Sequence, residues 1–376
     1  MSEIRARIER LEKKALNPGK AVAESCAETG KEAIGCFPIY TPEEIVYAAG
    51  ALPVGMWGGK TEFNASEAYL QGFCCSIIKS NVEMGIKGTY DSLKAVIIPA
   101  LCDTLKCVVE NWKVAVPQIP MVAIVYPQNR WAKSAEEYLI LEYKRVRTEL
   151  EKILGKIIPE SQIEQAFELY EEYRRTMREF VDVAQNYPVT INARTRHLII
   201  KAGYFMDKKQ YTEEIKEIIA LLKTMPEEKA EGFKAVVTGL IGEPVEILDF
   251  MAENGIAVAA DDFAQESRQF RTAAREGGSV WEKMMGRIMD QRGCTFLCEQ
   301  KKSRGQMLID MVKKHHAEAV IVFMMKFCDP EEFDYPVYKA QLEAAGIPIL
   351  YLEVDQQMES FEQIRTRIQS FAEMVG

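Results

Sequence analysis

Apolar residues along this chain fall into short continuous runs separated by longer stretches with helical spacing. That is the pattern of a parallel sheet whose strands are covered on both faces. The first run, Ala33-Ile34-Gly35-Cys36-Phe37, leads into Thr41-Pro42-Glu43-Glu44. Thr at the N-cap, Pro at the first helical position and Glu at the third form a capping box. The helix so opened ends at Gly50, and Leu52-Pro53-Val54-Gly55-Met56 resumes as a strand. Together these segments have the size of one β–α–β unit.

The pattern then recurs. Lys234-Ala235-Val236-Val237-Thr238-Gly239 is followed by the turn Gly242-Glu243-Pro244, a helix ending at Gly255, and Ile256-Ala257-Val258-Ala259. Pro42 and Pro244 play the same part, 202 residues apart. Leu93-Lys94-Ala95-Val96-Ile97-Ile98 ends in Cys102-Asp103, and Ala317-Glu318-Ala319-Val320-Ile321-Val322 ends in Cys328-Asp329, an offset of 226. Ile119–Ile124 matches Ile347–Leu352 at an offset of 228. Two related α/β domains, with an insertion in the second, account for all of these offsets. The expected organisation is a first α/β domain with an N-terminal helix over 1–133, a helical segment over 134–230 and a second α/β domain over 231–376.

The middle segment carries two further capping boxes, Ser134-x-x-Glu137 and Ser161-x-x-Glu164. After the second, Ile163, Phe167, Leu169, Tyr170, Tyr173 and Met177 share one face of an amphipathic helix. Two more helices are expected around 192–206 and 210–224. A packing or partner surface is the reading for this segment, and no chemistry is assigned to it.

Composition narrows the chemistry. The chain has 376 residues, a formal net charge of −9, nine Cys and only three His. An acidic balance argues against nucleic-acid binding, which is driven by clustered Lys and Arg. No stretch approaches the ~20 apolar residues of a membrane span. The charged start, Met1-Ser2-Glu3-Ile4-Arg5, lacks an apolar signal core, so a cytoplasmic setting with reduced thiols is expected. With His197, His315 and His316 the only imidazoles, any metal would be held by Cys or carboxylates.

Parallel sheets bind ligands at the carboxyl ends of their strands. Cys102 and Cys328 therefore stand out: each follows an apolar strand, each precedes Asp, and the repeat makes them pseudo-equivalent. Cys74-Cys75 opens a helix running toward Met84, and a helix N-terminus lowers a thiol's pKa. Three thiolates from distant loops can hold an iron–sulfur cluster with one iron open. Spacing alone does not choose between Cys74 and Cys75. Cys26, Cys107, Cys294 and Cys298 read as structural thiols. Gly55-Met56-Trp57-Gly58-Gly59 is either a close approach to a ligand or a tight turn. Gly239-Leu240-Ile241-Gly242 lacks the features of a phosphate or dinucleotide loop. Asp261-Asp262 with Glu266–Arg271 reads as a loop held by ion pairs, with lining of an interdomain cleft as the other option. No Ser-His-Asp or Cys-His arrangement is supported.

Several longer segments carry a family resemblance. They include Gly35–Glu44, Ala48–Gly58, Cys75-Ser76-Ile77, Leu101–Cys107, Tyr126–Arg130, Asp261–Gln269 and, most specifically, Met324–Pro336. The tail, Val354–Gln357 and Arg365–Phe371, fits as well. The chain resembles the benzoyl-CoA reductase/2-hydroxyacyl-CoA dehydratase family, on the side of the smaller (β) subunits of the (R)-2-hydroxyacyl-CoA dehydratases. The resemblance implies a heterodimer with an α subunit of the same fold and a [4Fe–4S] cluster in each subunit. It places the ligands of this chain's cluster at Cys75, Cys102 and Cys328, choosing Cys75 over Cys74 because the family ligand directly precedes Ser-Ile. It further implies an ATP-dependent iron–sulfur activator that injects one electron, an acyl-CoA substrate bound mainly at the partner subunit, and a hydro-lyase reaction through a ketyl radical. A benzoyl-CoA reductase-type subunit and a non-catalytic electron-transfer or assembly subunit are the alternatives. No catalytic residue is assigned to this chain.

Overall fold

The structure, a computed structural model, describes residues 2–376. Its frame is two four-stranded sheets, all parallel. The first sheet contains β1 (Ala33–Cys36), β2 (Leu52–Gly55), β3 (Leu93–Pro99) and β4 (Met121–Ile124), in the order β2-β1-β3-β4. The second contains β5 (Lys234–Gly239), β6 (Ala257–Phe263), β7 (Ala319–Met325) and β8 (Ile349–Val354), in the order β6-β5-β7-β8. Strand order and direction are the same, so the repeat read from the sequence is a structural repeat. Helices alternate with the strands and cover both faces, which is why β7, at the centre of its sheet, is buried along its whole length.

The two halves differ most between the second and third strands of each sheet. In the first, a loop and a single 3₁₀ turn lead from β2 to the helix Ser76–Ile86. In the second, the longer stretch from β6 to the helix Arg304–Lys314 adds the helices Ser267–Phe270 and Val280–Met289. This is the insertion that the unequal offsets required.

The helical segment contains Ala135–Leu154, Glu160–Ala184, Ala193–Ala202 and Lys208–Lys223. The last two lie close to where helical periodicity placed them. The N-terminal helix, Ser2–Leu16, buries Ile4, Ile8, Leu11 and Ala15 in the same cluster as Tyr173, Met177, Leu198 and Ile215. Helix Ala135–Leu154 instead turns Leu139, Tyr143 and Val146 into the core shared by the two sheets.

None of the three expected capping boxes forms. Glu44 does not fold back as the third residue of a capping box. Its carboxylate is buried and held by Arg174 at 2.7 Å, with Arg287 at 3.4 Å. Two guanidiniums outcompete one backbone N–H for a buried carboxylate. Thr41 turns back to donate to the Phe37 carbonyl at 2.7 Å. Ser161 lies inside the first turn, because Pro159, in extended conformation, takes the N-cap and starts the helix two residues earlier than expected. Ser134 occupies the N-cap position, though its side chain makes no capping bond. Pro42 and Pro244 hold equivalent places, as the repeat predicts, but each stands at the N-cap, so Pro42 lies one position earlier in its helix than expected. Among the described residues no helix is long and apolar enough to cross a membrane.

Candidate metal centre

The carboxyl ends of both sheets open onto one cavity of about 310 Å³. Residues just beyond the strands line it: Ile39 after β1, Trp57 after β2, Leu101 after β3, Leu240 after β5, Ala264 after β6 and Phe327 after β7. Cys75, Cys102 and Cys328 line the same space. Cys102 lies three residues beyond the end of β3 and Cys328 three beyond the end of β7, so the repeat extends to the ligand candidates themselves.

All three cysteines are helix N-caps. Cys75 precedes Ser76–Ile86, Cys102 precedes Asp103–Ala115 and Cys328 precedes Asp329–Ala344. One sulfur also receives a backbone N–H. The Leu105 N–H, from the third residue of its helix, donates to the Cys102 Sγ at 3.4 Å, whereas the Cys75 and Cys328 side chains accept no capping bond. Three helix dipoles, and at Cys102 one N–H group, thus favour negative charge on these sulfurs.

Burial opposes that preference in the metal-free protein. Desolvation pushes the Cys75 thiol up to about 12, and the neighbouring Cys102 and Cys74 add to the rise. Cys328 is raised well above the ordinary thiol value, first by burial, then by Glu331 and Cys75. Cys102 is raised by burial too. Such thiols stay protonated until a cation enters, and a coordinated metal deprotonates them outright.

Among the described residues no three His, Cys, Asp or Glu side chains stand close enough to share a single metal ion. A four-iron cluster asks for something else. Each thiolate binds its own iron, so the sulfurs sit apart around a shared volume. Three thiols, two buried and one half-buried, spaced around one largely apolar cavity suit that demand, and thiolate is the ligand type that iron–sulfur clusters select.

The other candidates fall away from this space. Cys74 adjoins Cys75 but does not line the cavity; its Sγ faces Thr104 and Gln71 at 3.9 Å each. Cys294 is buried and accepts from the Tyr40 hydroxyl at 2.9 Å. Cys107 and Cys298 are exposed, so burial does not explain their presence, and neither reaches the cavity. His197 is buried against Glu266 at 2.8 Å, and His315 pairs with Gln185. The glycine-rich loop after β2 sends Trp57 to the cavity wall, while Gly58 serves as a packing turn. A side chain at Gly58, where φ is +75°, would meet Gln356 and Ser80 at 2.5 Å. Asp261 and Asp262 are buried in ion pairs and hold their loop.

Two features were not legible in the sequence. Arg130, on the first half, donates to five backbone carbonyls of the second-half insertion: Ile288, Met289, Gln291, Leu297 and Cys298, at 2.7–3.3 Å. That insertion brings Thr295 and Phe296 to the cavity wall, so Arg130 pins down part of its enclosure. Glu331 is fully buried between Arg268 and Arg304. Only the pairing of distant segments reveals either role.

Comparison with known proteins agrees with this architecture. The family described as "2-hydroxyglutaryl-CoA dehydratase, D-component" matches residues 38–375. The chain is 45% identical to the lactoyl-CoA dehydratase subunit beta of Anaerotignum propionicum, over all of both chains. It is 40% identical to the (R)-phenyllactyl-CoA dehydratase beta subunit of Clostridium sporogenes, over 95% of each chain. It is 38% identical to the (R)-2-hydroxyglutaryl-CoA dehydratase subunit beta of Acidaminococcus fermentans, over 98% of this chain and 99% of that one. With identity of this order across essentially its whole length, the chain belongs to the 2-hydroxyglutaryl-CoA dehydratase D-component family and is a dehydratase subunit.

Proposed function

We propose that this chain is the iron–sulfur β subunit of a heterodimeric, cytoplasmic (R)-2-hydroxyacyl-CoA dehydratase. It would work with an α subunit and be activated by one electron from an ATP-dependent iron–sulfur protein. The observation that carries the proposal is the convergence of Cys75, Cys102 and Cys328, each a helix N-cap, on one cavity at the ends of both sheets.

The reaction explains the need for an electron. A hydrogen at C3 of a 2-hydroxyacyl-CoA is not acidic. One electron added to the thioester carbonyl gives a ketyl radical anion, which expels the 2-hydroxyl as hydroxide. The C3 hydrogen then leaves as a proton, and the electron returns. The products are the 2-enoyl-CoA and water, with no net oxidation or reduction. A bound [4Fe–4S] cluster supplies one-electron capacity and, at the iron that three cysteines leave open, a Lewis-acid site.

This chain's residues supply the setting. Cys75, Cys102 and Cys328 hold the cluster, and the Leu105 N–H supports the Cys102 sulfur. Ile77, Leu240 and Phe296 exclude water from the cavity. Substrate is held mainly by the partner, and no residue here is given a catalytic role.

The test is reconstitution without oxygen. The chain, its partner, the activator, ATP and a reductant should convert (R)-2-hydroxyacyl-CoA to 2-enoyl-CoA and leave benzoyl-CoA unreduced. Reduction of benzoyl-CoA in place of dehydration would overturn the assignment.

A further inference from the structure

Behind Cys328 lies a group of buried charges. Asp262, at the end of β6, receives Arg268 at 2.9 Å and Arg304 at 3.0 Å. The same two guanidiniums hold Glu331, each at 2.8 Å. The Thr238 hydroxyl donates to Asp262 at 2.8 Å and accepts from Arg304 at 2.8 Å. All four charged side chains are between 0 and 2% exposed. Two cations and two anions leave this inner group neutral, and at its edge Arg271 reaches Asp262 and Asp334 reaches Arg304 at 3.5 Å, adding one charge of each sign. It draws on β5, β6, the second-half insertion and helix Arg304–Lys314, and it meets the cysteine's own helix at Glu331. That residue is in the first turn of the helix that Cys328 caps, three positions after the cysteine.

The other two cysteines lack such a group. The residues in the same position are Ile78 after Cys75 and Leu105 after Cys102, both buried in the apolar core. One ligand out of three is thus backed by fixed charge.

We propose that Glu331 is the positioning residue of Cys328 and that its network with Asp262, Arg268 and Arg304 sets the fixed charge felt there, an inference that rests on the three-cysteine reading above. The side-chain carboxylate is locked by two arginines, which fixes the first turn of the helix and so the position of Cys328 at its N-cap. A net charge left in this dry region acts on a cluster with little screening, because cluster potentials respond to nearby charge.

The test uses the heterodimer, purified and kept without oxygen. Its readout is the midpoint potential of this chain's cluster, followed by the paramagnetic signal of the reduced form. Glu331→Gln keeps the shape and leaves one net positive charge, so the potential shifts upward. Arg304→Gln leaves one net negative charge, so it shifts downward. The double variant is neutral again and returns toward wild type, and it also serves if a single variant fails to fold, since its network keeps no unpaired charge. Glu332→Gln removes the same charge from an exposed site in the same turn and leaves the potential unmoved. Wild-type potentials in both single variants, at full iron content, would overturn the proposal. A wild-type chain with no cluster would overturn the three-cysteine reading instead.

Discussion

The two sheets share strand order and direction, yet the cysteine after the third strand of each is anchored by different physics. In the first half, Leu105 follows Cys102 by three positions and packs into the apolar core while its N–H meets the sulfur. In the second half, the same position is Glu331, clamped by Arg268 and Arg304. Both cysteines cap the helix that follows the third strand, so the N-cap position is what the repeat preserves. The side chain that anchors the first turn is free to be apolar or ionic. The ionic solution follows the insertion. Arg268 lies in the inserted stretch and Arg304 in the helix that follows it. The two anchors should therefore fail differently.

The largest difference is expected on truncation. Glu331→Ala leaves two buried guanidiniums sharing one fewer carboxylate and should cost about 3–5 kcal/mol, as when one partner is removed from a buried pair. Leu105→Ala removes apolar contacts and should cost roughly 2–5 kcal/mol. The lower part of that range is expected, because Leu105 already faces the cavity on one side. Denaturant unfolding of the metal-free protein measures both. A smaller loss for Glu331→Ala than for Leu105→Ala would break the distinction.

Acid should separate the halves further. Burial alone would raise the carboxyls of Asp262 and Glu331, but the adjoining arginines prevail and hold both below the usual range. A folded value below the unfolded value of about 4 means stabilisation that is complete above that pH and is lost as pH falls through the folded values. Wild-type stability should therefore decline as pH drops from 5 toward 3, in line with ordinary acid titration. Glu331→Gln should show a shallower decline, whereas Leu105→Ala should run parallel to wild type. Thermal unfolding at each pH reads this out, and parallel curves for Glu331→Gln would contradict the ionic anchor.

Much of this frame was legible in the sequence, because buried parallel strands carry continuous apolar runs and the runs repeat. The strand-end rule placed Cys102 and Cys328 near a shared site, and the cavity contains both. Cys74 and Cys75 could not be separated by pattern, since adjacent residues at a helix start differ only in where they point. Local capping rules misplaced Thr41 and Glu44, because a buried arginine 130 residues away claimed the carboxylate. Arg130 and Glu331 were invisible for the same reason. Their partners are carbonyls and guanidiniums brought near only by tertiary folding.

The central claim is that three particular thiols hold one cluster. Iron and acid-labile sulfide per chain, measured after oxygen-free purification of Cys75→Ala, Cys102→Ala, Cys328→Ala and Cys74→Ala, tests it most directly. The account predicts marked loss of both in the first three variants and wild-type content in Cys74→Ala. Full iron and sulfide in all of the first three would contradict it.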